Sequence, residues 1–129
     1  MRPSLPAKTI YLAGGFRSGW QKLAAERLRA FELLDPSLHN IEDPAEYTRW
    51  DLDAIQRCDI VLANMEPSNP GGYSLALEVG FAKALGKKII LVDQIANQPV
   101  GRHFEMVRQC SDRIFSTLDA ALEFLASEP

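Results

Sequence analysis

A glutamate at position 78 interrupts a segment that otherwise predicts a buried helix. Leu75, Phe81, Ala82 and Leu85 lie three, four or seven positions from Glu78, so they share its face of an α-helix. A carboxylate on an apolar face must be desolvated, paired or placed in a cleft. Glu78 also lies near the start of the predicted helix, where the helix dipole stabilises negative charge. A cleft carboxylate that is kept ionised in this way is a candidate nucleophile.

A glycine-rich segment, Gly14–Gly19, follows the first apolar run of the chain. Glycines after a strand let backbone N–H groups approach an anion or a sugar closely, although a simple tight turn has the same composition. Within the segment, Arg17 is either a phosphate contact or a solvated loop charge. The spacing matches neither GxGxxG nor a P-loop, so it predicts no dinucleotide or triphosphate site.

Two further segments carry polar groups that could reach the same place. Leu52 and Ile55 predict the buried side of a helix, and Asp51 lies close enough to that side to point into a cleft. The alternative is a carboxylate on the helix surface, which is common. The loop Pro67–Ser74 is long, polar and adjacent to Glu78, as functional loops are, but its residues also suit a plain connection.

The elements that must position these residues alternate between strands and helices. Apolar runs predict strands, two of them short, at Thr9–Ala13, His39–Glu42, Asp59–Met65, Lys88–Asp93 and Arg113–Phe115. Helical spacing predicts helices over Trp20–Leu34, Pro44–Arg57 with Asp43 as N-cap, the Glu78 segment up to Gly86, Arg102–Gln109 and Leu118–Ala126. This alternation predicts an α/β fold, a doubly wound, flavodoxin-like or Rossmann-like parallel sheet of five strands with helices on both faces. Ligands bind such sheets at the carboxyl ends of the strands, where the polar loops lie.

Length and composition limit the remaining possibilities. The 129 residues suit a single domain, 1–129, and the net charge of −3 argues against nucleic acid polymers and anionic membranes as partners. The sequence has no signal peptide and no apolar run of membrane-spanning length, which predicts a cytoplasmic protein. Cys58 and Cys110 are isolated and the chain has only two histidines, so we expect free, buried thiols and no metal site.

Taken together, these motifs resemble the nucleoside 2-deoxyribosyltransferase family. The resemblance rests on the order and spacing of Ile10–Gly14, Asp51–Ile55, Asp59–Leu62 and Leu77–Lys87. It implies exchange of nucleobases on 2′-deoxynucleosides by double displacement through a covalent deoxyribosyl–glutamate intermediate. It further implies a role in nucleoside salvage without a cofactor, and a homo-oligomer with shared active sites. The partners would be a nucleoside or nucleotide and a free nucleobase.

The resemblance also assigns roles to residues. Glu78 corresponds to the nucleophile, Tyr11 to the tyrosine that orients it, and Asp51 to the acid/base on the side of the nucleobase. This division requires a raised pKa at Asp51 and a low pKa at Glu78. The residues expected to bind substrate are Gly14, Gly15, Phe16, Arg17, Gly72, Tyr73 and Ser74.

Departures from the transferase pattern keep a sister group open. Transferases often carry an aspartate six residues before the nucleophile, where this chain has Gly72, and an asparagine where it has Trp50. The related 2′-deoxynucleoside 5′-monophosphate N-hydrolases share the tyrosine, aspartate and glutamate, and they hold the phosphate on an arginine-containing glycine loop similar to Gly14–Gly19. The alternative function is therefore hydrolysis of such monophosphates to free base. A non-catalytic nucleotide-binding sensor on the same fold is a further alternative.

Overall fold

A parallel β-sheet forms the centre of the molecule. The computed structural model describes residues 7–67 and 73–127. Within these residues the strands are β1 Thr9–Gly14, β2 Glu32–Leu34, β3 Ile60–Met65, β4 Lys88–Asp93 and β5 Arg113–Phe115. All neighbouring strands pair in parallel, in the order β2-β1-β3-β4-β5. This is the flavodoxin-like order, so the predicted fold class is confirmed.

Helices cover both faces of the sheet. They are α1 Trp20–Arg27, α2 Pro44–Arg57, α3 Tyr73–Ala84, α4 Glu105–Cys110 and α5 Leu118–Ser127, with short 3₁₀ helices at Pro36–Leu38 and Pro99–Phe104. One core packs the sheet against α2, α3 and α4, and a second core packs it against α1 and α5. Alternate residues of each buried strand point into the two cores, which explains why these strands are apolar throughout. Among the described helices, none combines the length and the apolar character needed to cross a membrane.

The ends of two helices follow from local residue chemistry. The side chain of Asp43 accepts a hydrogen bond from the Glu46 backbone N–H at 3.0 Å and Pro44 follows it, as predicted for the start of α2. After α3, the N–H groups of Gly86 and Lys87 bond back to the carbonyls of Lys83 and Ala82, and Gly86 has a φ of 73°. This is a Schellman motif with Gly86 at the predicted C′ position.

The second strand was predicted in the wrong place. The helix predicted over Trp20–Leu34 ends at Arg27, and β2 begins at Glu32. Apolar residues in this stretch satisfy a helical period, but Leu33 pairs with Ile10 of β1, so the edge of the sheet determines the local structure. The segment predicted as a strand, His39–Glu42, has no regular secondary structure.

The predicted helix Arg102–Gln109 also differs in part. Its first residues belong to the 3₁₀ helix Pro99–Phe104, and regular α-helix starts at Glu105. Arg108 anchors this 3₁₀ segment, because it donates to the Gly101 carbonyl at 2.9 Å and pairs with Asp93 at 2.6 Å. Of the two cysteines, both free as expected, Cys58 is buried and Cys110 only partly so.

Candidate functional site

A cleft of about 410 Å³ opens on the face of the sheet that α2 and α3 cover. Four parts of the chain line the cleft: β1 with the loop that follows, the connection between β2 and α2 (residues 35–43), the middle of α2 and the first half of α3. The cleft therefore lies where strands β1 and β3 end and the chain crosses over in opposite directions. This is the position at which doubly wound folds bind ligands.

The tyrosine and the glutamate predicted to act together are hydrogen-bonded in this cleft. Tyr11 lies on β1 and is fully buried, and Glu78 on α3 is 8% exposed. The Tyr11 hydroxyl donates to Oε2 of Glu78. Burial and the neighbouring negative charge raise the pKa of Tyr11, so its hydroxyl remains a donor. One oxygen of Glu78 is thus fixed by Tyr11.

Burial raises the pKa of Glu78 to about 7, the hydrogen bond from Tyr11 opposes this shift, and the charge on Asp51 adds to it. The low pKa that the sequence led us to require is therefore wrong for this cleft. The described helix starts at Tyr73, which places Glu78 in the second turn. The helix dipole acts mainly within the first turn, so desolvation outweighs it.

Asp51 of α2 also reaches the cleft, as its position near the buried side of the helix suggested. Its Oδ1 lies 3.2 Å from Nε2 of His39. Burial raises the pKa of Asp51, and the contact with His39 lowers it. Asp53, two residues along, is exposed and pairs with Arg57 at 2.9 Å, so the two aspartates lie in contrasting environments.

Gly14, Gly15 and Phe16 form one wall of the cleft. The side chains of Trp20 and Gln21 both donate to the Gly15 carbonyl at 3.0 Å, which fixes this loop from the start of α1. A Cβ on Gly14 would lie 2.9 Å from a backbone oxygen, at a φ of 151°. Only glycine fits this close approach without distortion.

The other predicted substrate-binding residues divide. Ser74 lines the cleft, whereas Arg17 and Tyr73 are exposed and do not line it. Gly72 lies outside the described residues. Among the described residues that line the cleft, none is a lysine or an arginine. In the same part of the chain, no group of three or more His, Cys, Asp and Glu side chains is arranged to hold a metal ion.

Sequence reasoning missed the cleft residues that lie on the connection between β2 and α2. Pro36, His39 and Ile41 line the cleft, and Tyr47 joins them from α2. Because the second strand was predicted at His39–Glu42, these residues were not recognised as part of the cleft. The useful signal was Asp35-Pro36, which stops a strand or helix directly before a polar segment at the ligand end of the sheet.

Comparisons with solved structures agree with this fold. A 2-deoxyribosyltransferase from Leishmania mexicana is 19% identical with a TM-score of 0.72, and 94% of this chain and 98% of that chain are covered. A 2-deoxyribosyltransferase from Bacillus psychrosaccharolyticus is also 19% identical with a TM-score of 0.72, over 94% and 92% of the two chains. A CMP N-glycosidase from Clostridium botulinum is 24% identical with a TM-score of 0.58, over 92% and 98%. These structures are similar in fold.

Comparison with curated protein sequences gives no match. A sequence model of the family described as "Nucleoside 2-deoxyribosyltransferase like" matches residues 7–95. This range includes β1 through β4 and all the residues that line the cleft. The chain therefore belongs to the nucleoside 2-deoxyribosyltransferase-like family.

Proposed function

We propose that this protein exchanges nucleobases on 2′-deoxynucleosides through a covalent deoxyribosyl–Glu78 intermediate. The observation that carries the proposal is the buried hydrogen bond from Tyr11 to Glu78 in a cleft that also contains Asp51. A nucleophilic carboxylate, a donor that orients it and a second carboxyl group for the leaving group are the parts that glycosyl transfer needs.

In the first half-reaction, Glu78 attacks the anomeric carbon as the bond to the nucleobase breaks. Tyr11 holds Oε2, which leaves Oε1 as the attacking oxygen. The departing base takes the electron pair of the broken bond and a proton from Asp51, because a nucleobase leaves poorly as an anion. The products are the free base, an ionised Asp51 and an ester of deoxyribose with Glu78.

In the second half-reaction, another base enters and its nitrogen attacks the same carbon. Asp51 now accepts the proton that this nitrogen loses, and the ester bond breaks to return Glu78 as a carboxylate. The acid of the first step is thus the base of the second, as microscopic reversibility requires.

The raised pKa values fit a pair of carboxyl groups that share one proton. The charge of Asp51 raises the pKa of Glu78, so the two groups avoid being ionised together. The reactive form carries the proton on Asp51 and the charge on Glu78. The Tyr11 hydrogen bond favours that form because it stabilises the Glu78 carboxylate.

The charge of the cleft supports an unphosphorylated nucleoside as the substrate. Two carboxyl groups line it and, among the described lining residues, no cationic side chain does. A 5′-phosphate would therefore lack a cationic side chain as partner on these walls. One observation favours the alternative, a 2′-deoxynucleoside 5′-monophosphate N-hydrolase: Arg17 directly follows Phe16, which lines the cleft. A nucleotide-binding sensor without catalysis ranks lowest, since binding alone does not need a buried Tyr11–Glu78 pair.

A homo-oligomer with shared active sites is part of the proposal. Tyr73 is 82% exposed and Leu77 is 62% exposed, one turn apart on α3 and close to the cleft-lining Ser74. Apolar side chains that are exposed together favour contact with another chain. A second copy bound there would be placed to close the mouth of the cleft.

The test is a chromatographic assay of the purified protein with deoxyinosine and free adenine, run beside deoxynucleoside monophosphates alone. Formation of deoxyadenosine is the expected result. Base released only from the monophosphates would instead establish the hydrolase, and Arg17→Ala should then abolish the preference for a phosphate. Binding without any turnover would leave the sensor as the function.

A further inference from the structure

We propose that His39 is a positioning residue for Asp51: its neutral ring carries the hydrogen on Nε2, donates it to Oδ1 of Asp51, and leaves Oδ2 to exchange a proton with the nucleobase. The proposal rests on the proposed function in one respect, the role of Asp51 as acid and base. The assignment of the histidine hydrogen depends on geometry alone.

The backbone of Ile41 fixes which nitrogen of His39 carries the hydrogen. The Ile41 N–H donates to Nδ1 of His39 at 3.1 Å, so Nδ1 must present a lone pair. A hydrogen on Nδ1 would point at the Ile41 hydrogen instead. The neutral ring therefore holds its hydrogen on Nε2, which faces Oδ1 of Asp51 at 3.2 Å.

The ring itself is held in place on other sides. Trp50 meets it edge-on, with ring centroids 4.7 Å apart. Asn40, between His39 and Ile41, has a φ of 53°, a left-handed conformation that few residues other than glycine adopt. This conformation turns the chain back so that the Ile41 N–H can reach the ring of the residue two positions earlier. Uncommon backbone angles of this kind cluster at functional sites.

The donated hydrogen bond distinguishes the two oxygens of Asp51. Oδ1 accepts from His39 and so cannot hold a proton along the same direction. When Asp51 is the acid, its proton therefore resides on Oδ2. The side chains of His39 and Asp51 are only 13% and 22% exposed, so little water competes for this arrangement.

The titration of Asp51 depends on the other ionisable groups in the cleft. Asp51 shares the cleft with the ionisable side chains of His39, Glu78, Tyr11 and Tyr47, and no described lining residue is a lysine or an arginine. The His39 contact lowers the pKa of Asp51 against the effect of burial. Loss of that contact should move the pKa of Asp51 upward.

The first test measures the tautomer in the free protein, whatever its activity. Long-range ¹H–¹⁵N correlation spectra of the histidine rings, assigned with His39→Leu, should show an unprotonated Nδ1 and a protonated Nε2 for His39 at neutral pH. A hydrogen on Nδ1, or on both nitrogens, would overturn the proposal even if base exchange proceeds.

The second test compares His39→Leu with His39→Gln, whose amide nitrogen can still donate to Asp51. With deoxyinosine as donor, His39→Leu should lose about 10- to 100-fold in kcat/KM and His39→Gln should recover most of it. The pH limb that belongs to Asp51 should move upward in His39→Leu only. His103→Leu, which changes the exposed second histidine of the chain, is the matched control.

The decisive substrate is 7-methyl-2′-deoxyguanosine, whose base leaves as a neutral molecule without taking a proton. In double displacement, kcat/KM for the donor reports base release alone. The defect of His39→Leu should therefore disappear with this donor. An equal loss with both donors would show that His39 only supports the fold. Absence of exchange by the wild-type protein would refute the proposed function and leave the tautomer to the first test.

Discussion

As the proposed nucleophile, Glu78 must be ionised to attack, yet its burial favours the protonated form. In the proposed reactive form the proton that the two carboxyl groups share lies on Asp51. Because the pKa of Glu78 beside the charge of Asp51 is raised to about 7, the fraction of the pair that holds this proton should fall about tenfold for each pH unit above that value. We therefore expect kcat/KM for deoxyinosine to show a basic limb near pH 7. A pH–rate profile measures it. Activity that stays constant up to about pH 9 would contradict this environment for Glu78.

The same shift makes Glu78 a cost to stability. Its pKa rises from 4.5 to about 7 on folding, so the folded state holds a proton that the unfolded state releases between these values. The contribution of Glu78 to the free energy of unfolding is fully present below pH 4.5. It is lost as the pH rises through about 7. Glu78→Gln should thus be inactive but about 3 kcal/mol more stable than wild type at pH 8.

Urea denaturation at several pH values measures this difference. The extra stability of Glu78→Gln should shrink as the pH approaches 4.5, the unshifted value. Glu26→Gln changes an exposed carboxyl group on α1 and should alter stability by less than about 0.5 kcal/mol. Identical stability of Glu78→Gln and wild type at high pH would disprove the burial cost.

Tyr11 should matter more for rate than for stability. Tyr11→Phe keeps the buried ring but removes the donor to Glu78, so kcat/KM should fall about tenfold or more. The basic limb should also move to higher pH, because this hydrogen bond lowers the pKa of Glu78. Parallel kinetic and denaturation measurements test both points. A stability loss as large as the loss in transition-state stabilisation would indicate a structural tyrosine.

Individual residues differed in how far the sequence revealed them. Glu78 was visible because a charge broke an apolar helical face, and Asp51 because of its place beside Leu52 and Ile55. The role assigned to Tyr11 came from the family resemblance alone. The contact of His39 with Asp51 joins a turn to a helix, so no local pattern encodes it.

At the scale of elements, the loop after β1 requires the backbone of Gly14 to lie close to the Asn64 carbonyl oxygen. Gly14→Ala would place a Cβ 2.9 Å from the Asn64 carbonyl oxygen, so we expect a loss of about 2 kcal/mol and a displaced cleft wall. Gly19 also has a positive φ, 72°, but open space around it. Gly19→Ala should therefore cost only about 1 kcal/mol.

Thermal unfolding and base-exchange rates distinguish these two variants. Gly14→Ala should lose both stability and activity, whereas the loss in Gly19→Ala should be confined to stability. If the two substitutions prove equally mild, the contact between β1 and β3 at Gly14 does not shape the cleft.

The sequence predicted elements well where the apolar pattern was unambiguous. β1, β3 and β4 are continuous apolar runs of the right length, and α2 has an N-cap and a proline at its start. β2 was missed because its three residues fit a helical period and become a strand only by pairing with β1. Edge pairing is a tertiary effect that propensity does not contain.

At the scale of the whole molecule, alternating strands and helices predicted a doubly wound parallel sheet but left the flavodoxin-like and Rossmann-like folds open. The observed order β2-β1-β3-β4-β5 is the flavodoxin-like one. The proposed assembly was not encoded in the same way. The apolar residues around nearly the whole circumference of α3 suit a core or an interface equally well, and the exposure of Leu77 in the single chain supports the proposed interface.

Leu77→Lys tests the proposed assembly. A buried charge would oppose association through α3, so the variant should be a smaller species by sedimentation and lose base-exchange activity while remaining folded. Leu23→Lys, an exposed leucine on α1, is the control and should leave the assembly intact. A wild-type protein that sediments as a monomer with full activity would refute shared active sites.

Intact-protein mass spectrometry detects the proposed covalent bond between deoxyribose and Glu78. The protein is mixed with deoxyinosine without an acceptor base, and the reaction is quenched in acid. The mass of the intact protein is measured, and the protein is then digested. We expect a mass increase of one deoxyribosyl group, located on the peptide that contains Glu78 and absent from Glu78→Ala. A modification on another residue, or active enzyme that never gains this mass, would show that Glu78 is not the nucleophile.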